Sequence, residues 1–147
     1  MIGEPAPPGE PPGRGWLSVR GVEGLLRGEV LLLAAGQEAT LGRGAGSTLP
    51  LTRSAGYRAL AEDPARLRAA CQGVSRCHLR IAVTAPGEAR IEDLSRAGTY
   101  VDGSRAAEPV LLRDLRDRAH EVRFGRSECV EIRWHDAPPR PDAPAPR

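Results

Sequence analysis

Apolar residues along this chain recur mostly at every second position, in short runs broken by glycine and proline. Leu17, Val19 and Gly21 open with one such alternation. Leu79, Ile81 and Val83 alternate with Arg80, Ala82 and Thr84, and Val130, Ile132 and Trp134 alternate with Cys129, Glu131 and Arg133. A period of two sends successive side chains to opposite faces of a strand, so each run predicts a strand with one buried face. Further short strands are predicted over 29–33, 39–41, 89–94, 99–101, 110–112 and 121–124. Turn signals stand between them: Pro86-Gly87, and Asp102-Gly103, a dipeptide suited to a two-residue hairpin. Many short strands joined by Gly-rich turns predict an all-β sandwich or barrel.

One segment departs from the period of two. Leu60, Leu67 and Cys71 fall at helical spacing, Asp63-Pro64 supplies an N-cap and a first helical residue, and Gly73 can end the helix. A short helix is therefore predicted over 60–71, within an insertion at about 52–73. The two ends differ again. Residues 1–15 and 137–147 are rich in Pro and hold too little apolar area to offset the entropy of ordering. They are expected to be disordered tails around a folded part at 16–136.

Composition narrows the function. The 147 residues suit one domain, and with aromatics at 3 % the core must be built from Leu, Val and Ile. No run approaches the roughly 18 apolar residues of a membrane span, and the N-terminus lacks the basic-then-apolar order of a secretory signal. A cytoplasmic protein with no membrane partner is expected. Cys71, Cys77 and Cys129 are too few and too irregular for a disulfide framework and read as reduced thiols. The net charge of +2 and scarce aromatics argue against nucleic acid. All 21 basic residues are Arg, a bias expected of a GC-rich bacterial genome, and Arg forks suit two-pronged phosphate contacts.

Enzymatic readings find little support. Cys77 and His78 are adjacent, so on a strand they point apart and make a poor nucleophile–base pair. Cys71, Cys77, His78 and Cys129 fit no zinc-ligand spacing. With no Lys in the chain there is no Lys-bearing phosphate loop. No catalytic residue, metal or cofactor is expected.

Three short motifs carry a more specific message: Thr40-Leu41-Gly42-Arg43, Val74-Ser75-Arg76-Cys77-His78, and Glu92-Asp93-Leu94-Ser95-Arg96-Ala97-Gly98-Thr99-Tyr100-Val101-Asp102-Gly103. In this order they resemble the forkhead-associated (FHA) domain, whose pattern runs Gly-Arg, then Ser-Arg-x-His, then Asp-Leu-Ser-x-x-Gly-Thr-x-Val-x-Gly. The resemblance extends from about Trp16 to Trp134. It implies an FHA-like sandwich of about eleven strands whose loops at one end bind phosphothreonine peptides. It also implies that Arg43 and Ser75 contact the phosphate and that Arg76 contacts the phosphate or the peptide backbone. His78 is implied to be a framework residue whose ring ties the binding loops together. Gly42, Gly98, Thr99 and Gly103 complete that framework, Gly98 by accepting dihedrals a side chain forbids and Gly103 by closing the hairpin turn.

Two features depart from the family pattern. Asn usually precedes the Gly-Thr and hydrogen-bonds the peptide; here Ala97 offers neither donor nor acceptor. Each lost bond is expected to cost about 0.5–1.5 kcal/mol. Beside it, Arg96 is either a further phosphate contact or a solvated side chain. The interval between Arg43 and Ser75 is also longer than usual, and its added segment, with Arg53, Arg58, Arg66 and Arg68, is expected at or near the binding face. The expected function is a phosphothreonine-peptide-binding signalling module acting with a Ser/Thr kinase. The alternative is an FHA-fold scaffold that binds an unphosphorylated protein through the sandwich face or the insertion.

Overall fold

The structure, a computed structural model, describes residues 15–136. The tails expected at 1–15 and 137–147 lie outside the described residues except for Gly15, which is buried. Eleven strands form two sheets. The first sheet contains β1 (Trp16–Glu23), β2 (Val30–Leu33), β7 (Thr99–Val101), β8 (Ser104–Arg105), β10 (His120–Phe124) and β11 (Glu128–His135), in the order β2-β1-β11-β10-β7-β8. The second contains β3 (Glu38–Gly42), β4 (Leu49–Pro50), β5 (Leu79–Ala85), β6 (Glu88–Asp93) and β9 (Val110–Leu112), in the order β4-β3-β5-β6-β9. All strand pairs are antiparallel except β3 with β4.

The alternation seen along the chain sets the inner faces. Leu79, Ile81 and Val83 of β5 and Val130, Ile132 and Trp134 of β11 are buried. Leu17, Val19, Leu33, Leu41, Ile91, Val122 and Phe124 join them in one core cluster. Aliphatic side chains supply most of it, and the chain's single Phe, Phe124, is buried at its centre. Such burial typically stabilises by about 1.5–3 kcal/mol per large side chain.

The insertion between β4 and β5 is helical, as expected, but in two pieces. A 3-10 turn (Leu51–Arg53) leads into α1 (Ala55–Ala59), and α2 (Pro64–Ala70) follows. Leu60 therefore ends the first helix and does not open the second. α2 starts where the cap signal lies: Asp63 accepts the N–H of Arg66 at 3.2 Å, and Pro64 is the first helical residue. α1 is capped by Ser54, which accepts the N–H of Tyr57 at 3.0 Å. Leu51 and Ser54 are fully buried, so the insertion is rooted in the domain. Gly56 presses α1 onto the turn after β1, where a Cβ would overlap the Leu25 carbonyl. At the far end, Arg126 in the β10–β11 turn donates its backbone N–H to the Gln72 carbonyl at 3.0 Å.

Candidate functional site

Three loops converge at one end of the second sheet, and backbone bonds hold them together. β3 ends at Gly42, which lies so close to the Arg76 carbonyl that a Cβ there would overlap it. The next residues continue the contact: Arg43 N–H donates to Ser75 O at 2.9 Å and Gly44 N–H to Arg76 O at 3.1 Å. Ser47 Oγ donates to the same Arg76 carbonyl at 2.7 Å. The first loop is thus clamped to the second, with the Arg43 and Arg76 side chains exposed.

His78 joins the second loop to the third. Its ring is fully buried and lies 5.2 Å from the Phe124 ring. Nδ1 accepts the Ser75 N–H at 3.1 Å, and Nε2 donates to the Gly98 carbonyl at 2.8 Å. Burial holds the imidazole below its ordinary range, against the opposing effects of the Gly98 carbonyl and the Asp93 charge. The ring is therefore neutral near pH 7, with a fixed tautomer.

The third loop is organised by Asp93. One oxygen, Oδ1, accepts from Ser95 N–H at 3.0 Å, Ser95 Oγ at 2.6 Å and Thr99 Oγ1 at 2.9 Å. Ser95 Oγ also accepts the Gly98 N–H at 2.8 Å. Burial alone would raise the Asp93 carboxyl, but the bonds from Ser95 and Thr99 outweigh it and hold the group below the ordinary carboxylate range. Gly98 has φ +100°, a conformation that side chains rarely adopt.

Around these loops lie two adjoining clefts. One, of about 690 Å³, runs between the 43–46 loop and the insertion and is lined by Thr52, Tyr57, Pro64, Leu67 and Arg76. The other, of about 800 Å³, lies between α2 and the third loop and is lined by Val74, Ser75, Arg96 and Ala97. Arg43, Arg68 and Cys71 line both. No Asp or Glu among the described residues lines either cleft. Elsewhere some arginines are paired, as Arg20 is with Glu131, Arg80 with Glu92 and Arg123 with Glu23, while others, such as Arg27, Arg66 and Arg90, make no ion pair among the described residues. Arg43, Arg68, Arg76 and Arg96 make no ion pair among the described residues, and neither does Ser75 Oγ make a hydrogen bond.

The structure brings Arg43, Ser75, Arg76 and Arg96 to this pair of clefts, with Gly42, His78, Gly98 and Thr99 beneath them in the loop framework. Gly103 stands apart. It forms the β7–β8 turn with Asp102, both at positive φ, and Asp102 bonds Glu121 and His120 there. Four contributing residues were not singled out from sequence as site residues. The Asp93–Ser95 pair acts by local bonding, and Ser two residues after Asp is a recognisable turn signal, whereas Ser47 bonds the Arg76 carbonyl 29 residues away, which no local pattern shows. Arg68 reaches the site only because α2 folds back beside Arg43, which no local pattern announces.

The family model for the FHA domain matches residues 40–116. No curated protein matches the chain. Among solved structures, an FHA domain of an Arabidopsis thaliana hypothetical protein is similar at a TM-score of 0.63 and 19% identity, over 92% of this chain and 98% of that one. An FHA domain described for its phosphothreonine-dependent interactions is 26% identical, with a TM-score of 0.54, over 82% of this chain and 97% of that one. An N-terminal FHA domain from S. cerevisiae, in complex with a phosphothreonine peptide, is 15% identical with a TM-score of 0.56, over 82% and 94% of the two chains.

Proposed function

The chain belongs to the FHA domain family, and from that premise we propose that it is a phosphothreonine-peptide-binding module acting downstream of a Ser/Thr kinase. One observation carries the reading: four arginines that make no ion pair among the described residues, Arg43, Arg68, Arg76 and Arg96, meet around two clefts that no described acidic residue lines. Unpaired cations at a shared surface favour an anionic ligand, and a phosphate dianion offers oxygens for several forks at once.

In this reading Arg43, common to both clefts, is the central phosphate contact. Ser75 donates its free hydroxyl from the neighbouring cleft, and Arg76 and Arg96 approach from the two sides. His78 does not touch the ligand; it holds the Ser75 and Gly98 loops at fixed separation, so the donors are in place before binding. Preorganisation of that kind lowers the entropy lost on association. The protein would work in the cytosol, where Cys71, Cys77 and Cys129 stay reduced.

A second reading has one observation in its favour. Ala97 stands in the cleft beside Arg96 and presents no polar group to a peptide backbone. That suits a scaffold which binds an unphosphorylated partner. Titration of a degenerate phosphothreonine peptide library, with unphosphorylated and phosphoserine controls, separates the two. Binding that requires the phosphothreonine supports the reader. Binding of equal strength without phosphate supports the scaffold.

A further inference from the structure

The insertion builds a wall that faces Arg43. α1 and α2 place Tyr57, Pro64 and Leu67 along the cleft of about 690 Å³, opposite the 43–46 loop. That volume lies within the range of about 300–1,000 Å³ usual for ligand pockets. Its lining combines the apolar Tyr57, Pro64 and Leu67 with three cations, Arg43, Arg68 and Arg76. The wall is held at both ends. Leu51 and Ser54 are buried, Gly56 packs on Leu25, and Gln72 accepts the Arg126 backbone and also the Arg126 guanidinium, the latter at 2.9 Å.

We propose that this cleft is a specificity subsite for an aliphatic or aromatic side chain flanking the phosphothreonine of the same bound peptide, with Arg68 of α2 adding a further contact to the phosphate or to an acidic neighbour. The proposal rests on the phosphothreonine reading above. Two features argue for this occupant. The two clefts share Arg43, Arg68 and Cys71, so a peptide whose phosphate is held at Arg43 has one direction open along Ser75 and Arg96 and the other along Tyr57 and Leu67. The charged residues that line the cleft, Arg43, Arg68 and Arg76, are all basic, which favours an apolar group carried on an anionic chain, as a phosphopeptide is. Selectivity lost at Ala97 is thereby regained on the opposite side of Arg43, from the segment the chain has added.

Peptide arrays with phosphothreonine fixed and each flanking position varied in turn test the proposal. They are to be read with the wild type and with Ala45→Leu and Leu67→Asp. Ala45 is exposed at the cleft mouth, so a larger side chain there fills the cleft without entering the core. We expect one flanking position to prefer Leu, Met or Phe over Gly by about tenfold. Ala45→Leu and Leu67→Asp should erase that preference while binding still requires phosphate. Phosphate-dependent binding with no apolar preference, or with a preference that both variants leave intact, overturns the subsite alone. Binding that ignores phosphate in the wild type overturns the subsite and the reading beneath it.

Discussion

Nδ1 of His78 accepts the backbone N–H of Ser75 at 3.1 Å, and that single bond fixes the ring's one proton on Nε2, where it meets the Gly98 carbonyl. Two candidate binding loops thus hang on one buried, neutral imidazole. Removing the ring leaves the part-buried Ser75 N–H and the buried Gly98 carbonyl without their partner, and a buried group left unpaired costs about 1–3 kcal/mol. We expect His78→Ala to lower stability by at least about 2 kcal/mol in urea unfolding, and to weaken phosphopeptide binding although His78 touches no ligand.

The same ring gives the fold a pH dependence. Burial holds His78 below its ordinary value of 6.5. As pH falls, the unfolded chain therefore takes up a proton on this residue before the folded chain does. The contribution is fully present above the unfolded value and declines from there down to the folded one. Burial lowers His135 in the same direction. We expect stability to fall as the pH drops below the ordinary histidine value of 6.5, and His78→Gln to show a shallower slope there.

Asp93 titrates with the same sign in a lower window. Its carboxylate is held below the ordinary 3.8 by Ser95 and Thr99 despite burial, so its contribution is present above that value and is lost as pH falls through the folded one. We expect Asp93→Ala to cost about 1–3 kcal/mol at pH 7. The cost should shrink in acid, as measured by unfolding at both pH values.

Gly42 is where the backbones of the first two loops come nearest. A Cβ at this position must displace the Arg76 carbonyl, which already accepts Gly44 N–H and Ser47 Oγ. We expect Gly42→Ala to destabilise by about 1–3 kcal/mol and to shift the amide resonances of residues 43–47 and 75–77 in an NMR spectrum.

Much of this was legible in the sequence because it is local. Alternation predicted the inner faces of β5 and β11, and Asp63-Pro64 marked the start of α2. Three ordered motifs carried the fold family. Other parts left no local trace. β4 and β8 are two residues each, too short to show a period. α1 spans five residues with Gly56 inside it, a poor helix former whose place is explained by its contact with Leu25. Arg68 was legible only as one of four arginines in a segment expected near the binding face, and tertiary packing alone sets it beside Arg43.

The reader hypothesis stands most directly on Arg43, whose side chain is exposed and makes no internal ion pair among the described residues. The measurement is calorimetric titration of the best phosphothreonine peptide into the wild type and Arg43→Ala, with circular dichroism to confirm the fold. A charge-assisted phosphate contact is worth about 1.5–3 kcal/mol. We expect Arg43→Ala to fold normally and to bind at least about tenfold more weakly, or 1.4 kcal/mol, with the wild type showing no comparable affinity for the unphosphorylated peptide. Equal affinity in wild type and variant, or equal affinity with and without the phosphate, would contradict the assignment.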